Sequence, residues 1–275
     1  MTPRPRRLPV TVALVRHETI GSYLRRLARA NHLKPNALTR YVNAADDDRF
    51  EVLEALTGHR AERLDDLLVT SIHPRRHRRQ EACRRCAAQS DILTPVRLAA
   101  PVHHTVCRSH KRWLTDDAGT DDGRQYPLHD LPEILRAQRR HRRLVRDHGV
   151  DHAADAVAAA EHITQRWTHR GNWPHHRNRR LQQILGPGDW RIEPAHPLIT
   201  MVNYPETVAL ARLLADPHWN QFATSDELDA IAAFHAEVGT RLHIPYQPHT
   251  GHDPLLHWQA RVRVIRRYTE IPQLQ

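Results

Sequence analysis

A chain of 275 residues that is 40% hydrophobic and 26% charged can bury one sizeable core or two modest ones, which excludes a wholly disordered protein. Ten glycines and 5% aromatics favour helix over sheet. The formal net charge is +10, carried almost wholly by arginine because lysine occurs only at Lys34 and Lys111; such a charge points to nucleic acid, with a solvated basic surface that binds nothing as the alternative.

Residues 1–16 read as extended, with Pro3, Pro5 and Pro9 opposing helix. The apolar run Val10–Val15 is too short for a signal sequence, and no stretch approaches eighteen apolar residues. A cytoplasmic protein without membrane contact is expected. Thr19 is placed to cap a helix in which Ile20, Tyr23, Leu24, Leu27, Ala28 and Ala30 recur at helical spacing, with Arg25, Arg26 and Arg29 opposite. Asn31–Pro35 breaks it, and Asn36–Val42 predicts a second short helix, a pairing that is similar to a helix-turn-helix and equally to a plain αα-hairpin. After a polar linker at Asn43–Arg49, Phe50–Leu56 and Ala61–Leu68 predict two more helices, the first ended by Thr57-Gly58.

A basic run, His73–Arg79, then leads into Cys83-Arg84-Arg85-Cys86 and, twenty residues on, Cys107-Arg108-Ser109-His110. These pairs use every cysteine in the chain. Each x₂ spacing lets two ligands reach one ion from a tight turn, so Cys83, Cys86, Cys107 and His110 are expected to hold one structural Zn²⁺ tetrahedrally. The competing reading is three buried free thiols. His103 and His104 also lie near, without the CxxH spacing. Four protein ligands leave no position for a substrate water. Arg75, Arg76, Arg78, Arg79, Arg84, Arg85, Arg108 and Arg112 lie on or beside the ligand pairs and are the candidate phosphate contacts. Ile92–Leu98 and Val102–Val106 suggest the strands of a zinc-ribbon-like hairpin, and the aspartates around Gly119 and Gly123 read as a solvated turn without EF-hand spacing.

Beyond residue 127 helix is expected again at Leu131–Arg146, His152–His169, Trp173–Leu185, Tyr204–Leu214, Ser225–Leu242 and Pro254–Tyr268. The fold class expected is mainly α: an N-terminal helix-turn-helix-like domain (1–72), a zinc-ribbon or knuckle module with its basic lead-in (73–126), and a C-terminal helical domain (127–275). The sequence carries no Gly-x₄-Gly-Lys-Ser/Thr loop and no Ser/His/Asp or Cys nucleophile constellation, so no enzymatic activity is expected.

The order of parts resembles the TniQ family. Leu8-Pro9 followed by Glu18–Leu33 is similar to its opening, Ala55–Gly58 with Ala61–Leu64 to its next helix pair, and Cys83-x₂-Cys86 with Val106-Cys107-x₂-His110 to its zinc motif. The likeness covers residues 8 to about 114. Arg16-His17 stands where the family carries Pro-Gly, Arg84 where it carries proline, and no tryptophan lies between the ligand pairs. The resemblance implies an adaptor for transposition target selection that links DNA or a targeting complex to an AAA+ transposition ATPase. The expected partners are DNA, that ATPase as the resemblance implies it, and, separately, a second copy of the chain as a homodimer. A stand-alone helix-turn-helix/zinc transcriptional regulator is the alternative.

Overall fold

The computed structural model of the chain describes residues 5–73, 76–114, 125–169, 175–188, 192, 196–248 and 252–270. Among these the fold is mainly helical, with twelve α-helices and six short strands. The chain divides into two compact units, Met1–Tyr126 and Pro127–Gln275.

In the first unit an extended segment precedes β1 (Glu18–Thr19). It is laced down by Leu8 N–H donating to Leu56 O at 2.8 Å and by the Asn31 amide, which exchanges hydrogen bonds with both backbone groups of Val10. Helix α1 (Ile20–Ala30) starts where the sequence places it, since Thr19 Oγ1 accepts from Ser22 N–H. Helix α2 (Pro35–Asn43) opens on a proline at its first turn and buries only Leu38 and Val42, one helical turn apart. Helices α3 (Arg49–Thr57) and α4 (Ala61–Leu67) complete the set. Gly58 ends α3 in the left-handed region at φ +74°, which favours glycine; a Cβ there would meet only the movable end of Arg7, at 2.8 Å from Cζ. Tyr23, Leu24, Leu27, Val42, Leu53 and Leu64 meet in the core of these helices.

The basic lead-in is not a linker. His77–Glu81 forms β3, the edge of a four-stranded sheet of order β2-β1-β4-β3, with β2 at Leu68–Val69 and β4 at Arg97–Pro101. Strand β1 runs parallel to β2 and antiparallel to β4, which pairs with β3. The sheet therefore crosses the division expected after residue 72. The strands also differ from those expected at 92–98 and 102–106: the β4 partner is the arginine-rich 77–81 segment, which alternation of apolar residues could not reveal. Glu18 pairs with Leu68 and Leu98, and Leu98 with Gln80; Glu18, Leu68 and Gln80 are buried. Helix α5 (Arg84–Ala88) and the small pair β5 (Val106–Cys107) and β6 (Arg112–Trp113) finish the unit.

The second unit holds α6 (Pro132–His148), α7 (Val150–His169), α8 (His175–Leu185), α9 (Pro197–Ala215), α10 (Pro217–Thr224), α11 (Leu228–Leu242) and α12 (Pro254–Glu270). Helix α9 packs against α6 and α7. Its core gathers Leu144, Ile163, Leu210, Phe234, Val238 and Leu255. Helix α9 begins seven residues before the expected Tyr204 and runs through Pro205, while α10 was not anticipated. Proline at 205 has no N–H for the preceding turn. There Arg180 Nη1 donates to Val202 O at 2.5 Å, both Arg180 terminal nitrogens bond Glu206 at 2.7 Å, and Nε reaches Glu133 at 3.2 Å. Among the described residues no helix is long and apolar enough to cross a membrane. The expected turn around Gly119 and the expected helix start at Trp173 lie outside the described residues.

Candidate metal centre and basic surface

Cys83 caps the N-terminus of α5 and Cys86 lies on its first turn, which aims both sulfurs from one end of a five-residue helix. Cys107 ends β5, and the turn that returns the chain into β6 carries His110 and then Lys111, whose φ of +46° closes it. Two short local structures thus present one ligand pair each.

The four ligand atoms lie within 4.8 Å of one another. Cys86 Sγ is 3.2 Å from His110 Nδ1 and 3.6 Å from Cys107 Sγ; Cys83 Sγ and Cys107 Sγ are 3.5 and 3.8 Å from His110 Nδ1. The 3.6 Å sulfur separation is far from the roughly 2.05 Å of a disulfide. Cys83 and Cys107 are buried, and Cys86 and His110 half-buried. Burial, with Cys107 and Cys83 beside it, pushes the Cys86 thiol up to about 12. Three sulfurs at this spacing would repel as thiolates unless a cation sat among them. The geometry therefore forms a cluster that could hold a metal ion, and it selects His110 over His103 and His104.

One residue behind the site is absent from any spacing argument. Gln125, 41 positions beyond Arg84, accepts from Arg84 N–H at 3.0 Å and donates its amide to Ala82 O at 2.8 Å. It thereby grips the backbone on both sides of Cys83. Its own carbonyl accepts from Arg112 Nη2 at 2.6 Å, which joins the CxxC turn to the β5–β6 hairpin. No sequence signal marks an isolated glutamine for this role.

The candidate phosphate-contact arginines differ in exposure. Along β3 successive side chains alternate, so Arg79 is exposed while Arg78 is half-buried on the face of the buried Gln80. Arg76, Arg85 and Arg108 are exposed. Arg84 is exposed too but pairs with Glu81 at 2.6 Å, and Arg112 is half-buried against Gln125. Arg75 lies outside the described residues.

The chain matches no protein-family model, no curated protein and no solved structure among those it was compared with.

Proposed function

We propose that this protein is a zinc-stabilised, helical DNA-binding adaptor of the TniQ type, acting in the cytoplasm without catalysis of its own. The observation that carries the zinc reading is the convergence of Cys83, Cys86, Cys107 and His110. Bond lengths of about 2.3 Å to sulfur and 2.0–2.1 Å to nitrogen imply tetrahedral edges of about 3.5–3.8 Å; the contacts at 3.5, 3.6 and 3.8 Å fall on them, and Cys86 Sγ to His110 Nδ1, at 3.2 Å, is shorter. When bound, the ion would hold the thiolates and fold the knuckle; a fourth protein ligand leaves no water to activate, so the role is structural.

DNA binding is supported by the +10 charge, by Arg76, Arg79, Arg85 and Arg108 exposed around the sheet edge and knuckle, and by α2. That helix spends only Leu38 and Val42 on the core and leaves Lys34, Asn36, Arg40 and Tyr41 exposed beside a four-residue turn from α1, an arrangement suited to a helix-turn-helix surface. The adaptor role, with an AAA+ ATPase partner, rests on the resemblance of residues 8–114.

The test is a pull-down of the tagged chain from its own cells, with and without nuclease. An AAA+ ATPase retained after nuclease supports the adaptor. DNA without a protein partner moves the reading to a stand-alone regulator, and retention of neither removes both.

A further inference from the structure

A cleft of about 260 Å³ opens at the N-terminus of α1, on the side of the sheet that carries Thr19, Val69 and Arg97. Three arginines line it from three different elements: Arg25 from α1, Arg79 from β3 and Arg97 from β4. All three residues are exposed, and among the described residues no acidic side chain lines the cleft. Arg97 is held in place at both backbone groups. Its N–H donates to Ser22 Oγ at 2.9 Å, and its carbonyl accepts from Thr19 Oγ1 at 3.3 Å. The strand bearing one cation is thus pinned to the first turn of the helix bearing another.

The first turn itself lines the cleft through Ile20 and Gly21. Gly21 has no side chain to cover its N–H, and Arg25 Nη1 comes within 3.8 Å of the position a Cβ would take. Three like charges gathered over a concavity, with the positive end of an eleven-residue helix at its wall, raise the local concentration of anions. Guanidinium forks match phosphate oxygens in particular. The volume falls below the roughly 300–1,000 Å³ of pockets that enclose whole small molecules, so one phosphoryl group with the edge of its carrier fits and a complete nucleotide does not.

We propose that Arg25, Arg79 and Arg97, with the amides of Ile20 and Gly21, form a phosphate-binding site. The phosphate comes from one of two sources, a DNA backbone or a free phosphate ion; the first rests on the DNA-binding reading above and the second does not.

The experiment has two arms on the full-length, metal-loaded chain. Inorganic phosphate is titrated while the Ile20 and Gly21 amides are followed by NMR, with chloride at equal ionic strength as the control. Duplex DNA affinity is then measured against salt for the wild type and for Arg25→Gln/Arg97→Gln. A phosphate-specific shift of both amides, lost in the double variant, supports the site. A fall of about 0.9 or more in the slope of log K against log salt assigns it to the DNA backbone. A phosphate response with an unchanged slope, or with no DNA binding at all, assigns it to the free ion and leaves the DNA reading to fail separately. Silent amides together with an unchanged slope, or silent amides and no DNA binding, overturn the site; the wild-type titration gives the phosphate result even if the double variant misfolds.

Discussion

Arg26 reaches back from α1 to Glu18 on β1 and forms a buried ion pair, Nη2 to Oε2 at 2.7 Å, in which neither side chain is more than 5% exposed. Arg26 Nε bonds the other carboxylate oxygen at 2.9 Å, and Ser22 Oγ donates to that same oxygen at 2.7 Å. Arg26 also donates to Ala13 O at 2.6 Å, so a single side chain ties helix, strand and the extended N-terminal segment together.

Replacing Arg26 with Met should strand the Glu18 carboxylate. Removing one partner of a buried pair typically costs about 3–5 kcal/mol. Burial already raises the Glu18 carboxyl above its ordinary 4.5, against the opposing pull of Arg26 and Ser22. The folded chain therefore holds that proton more tightly than the unfolded chain does. Glu18's contribution to stability is present below 4.5 and lost as pH rises through the folded value. Without Arg26 the folded value climbs further, so the deficit of Arg26→Met should be larger at pH 7 than at pH 5. Urea denaturation at both pH values measures it; a deficit independent of pH would contradict this account.

Cys86→Ser should remove one of the four ligands and, because metal binding and local folding are coupled, loosen residues 75–114. The expected result is loss of stoichiometric zinc by elemental analysis and rapid tryptic cleavage within that segment. Chelation of the wild-type protein should reproduce the cleavage pattern. Unchanged resistance in both would count against a structural ion.

Gln125→Ala should leave all four ligands in place yet free the peptide groups on either side of Cys83. Loss of such a supporting contact typically lowers metal affinity about 10–100-fold. Gln125→Glu can still accept from Arg84 N–H but cannot donate to Ala82 O, so it should fall between wild type and alanine. Competition with a chromophoric chelator ranks the three.

Arg180→Met should destabilise the second unit by about 3–5 kcal/mol, since Glu206 would remain buried beside Pro205 with its cation gone. Arg180→Met/Glu206→Leu should recover part of that loss, because it removes both charges. Thermal unfolding followed by circular dichroism provides the comparison; additive effects of the two substitutions would refute the coupling.

The helices were legible because their signals are local. Thr19 as cap, Gly58 as stop and the 3.6-residue recurrence of Tyr23, Leu24 and Leu27 all act within one or two turns. The cluster of Cys83, Cys86, Cys107 and His110 was legible for the same reason, since a CxxC or CxxH turn is complete within four residues. Strand β3 was not. Its sequence, His-Arg-Arg-Gln-Glu, is charged and carries no alternation; it becomes a strand because β4 offers it a ladder of backbone hydrogen bonds. Helix α9 was expected only from Tyr204, yet it begins at Pro197 and runs through Pro205, where the buried Arg180, distant in sequence, donates to Val202 O and pairs with Glu206.

By itself the sequence determined a helix-rich, strongly basic chain with four candidate metal ligands in two clipped pairs, because capping, amphipathic spacing and chelate turns are properties of short segments. Only the tertiary structure decided which basic side chains share a surface. Alternation along β3 parts Arg78 from Arg79, and the register of β4 and the cap of α1 bring Arg79 together with Arg97 and Arg25. Charges far apart in sequence are placed by backbone pairing, and pairing partners are chosen only when the whole sheet forms.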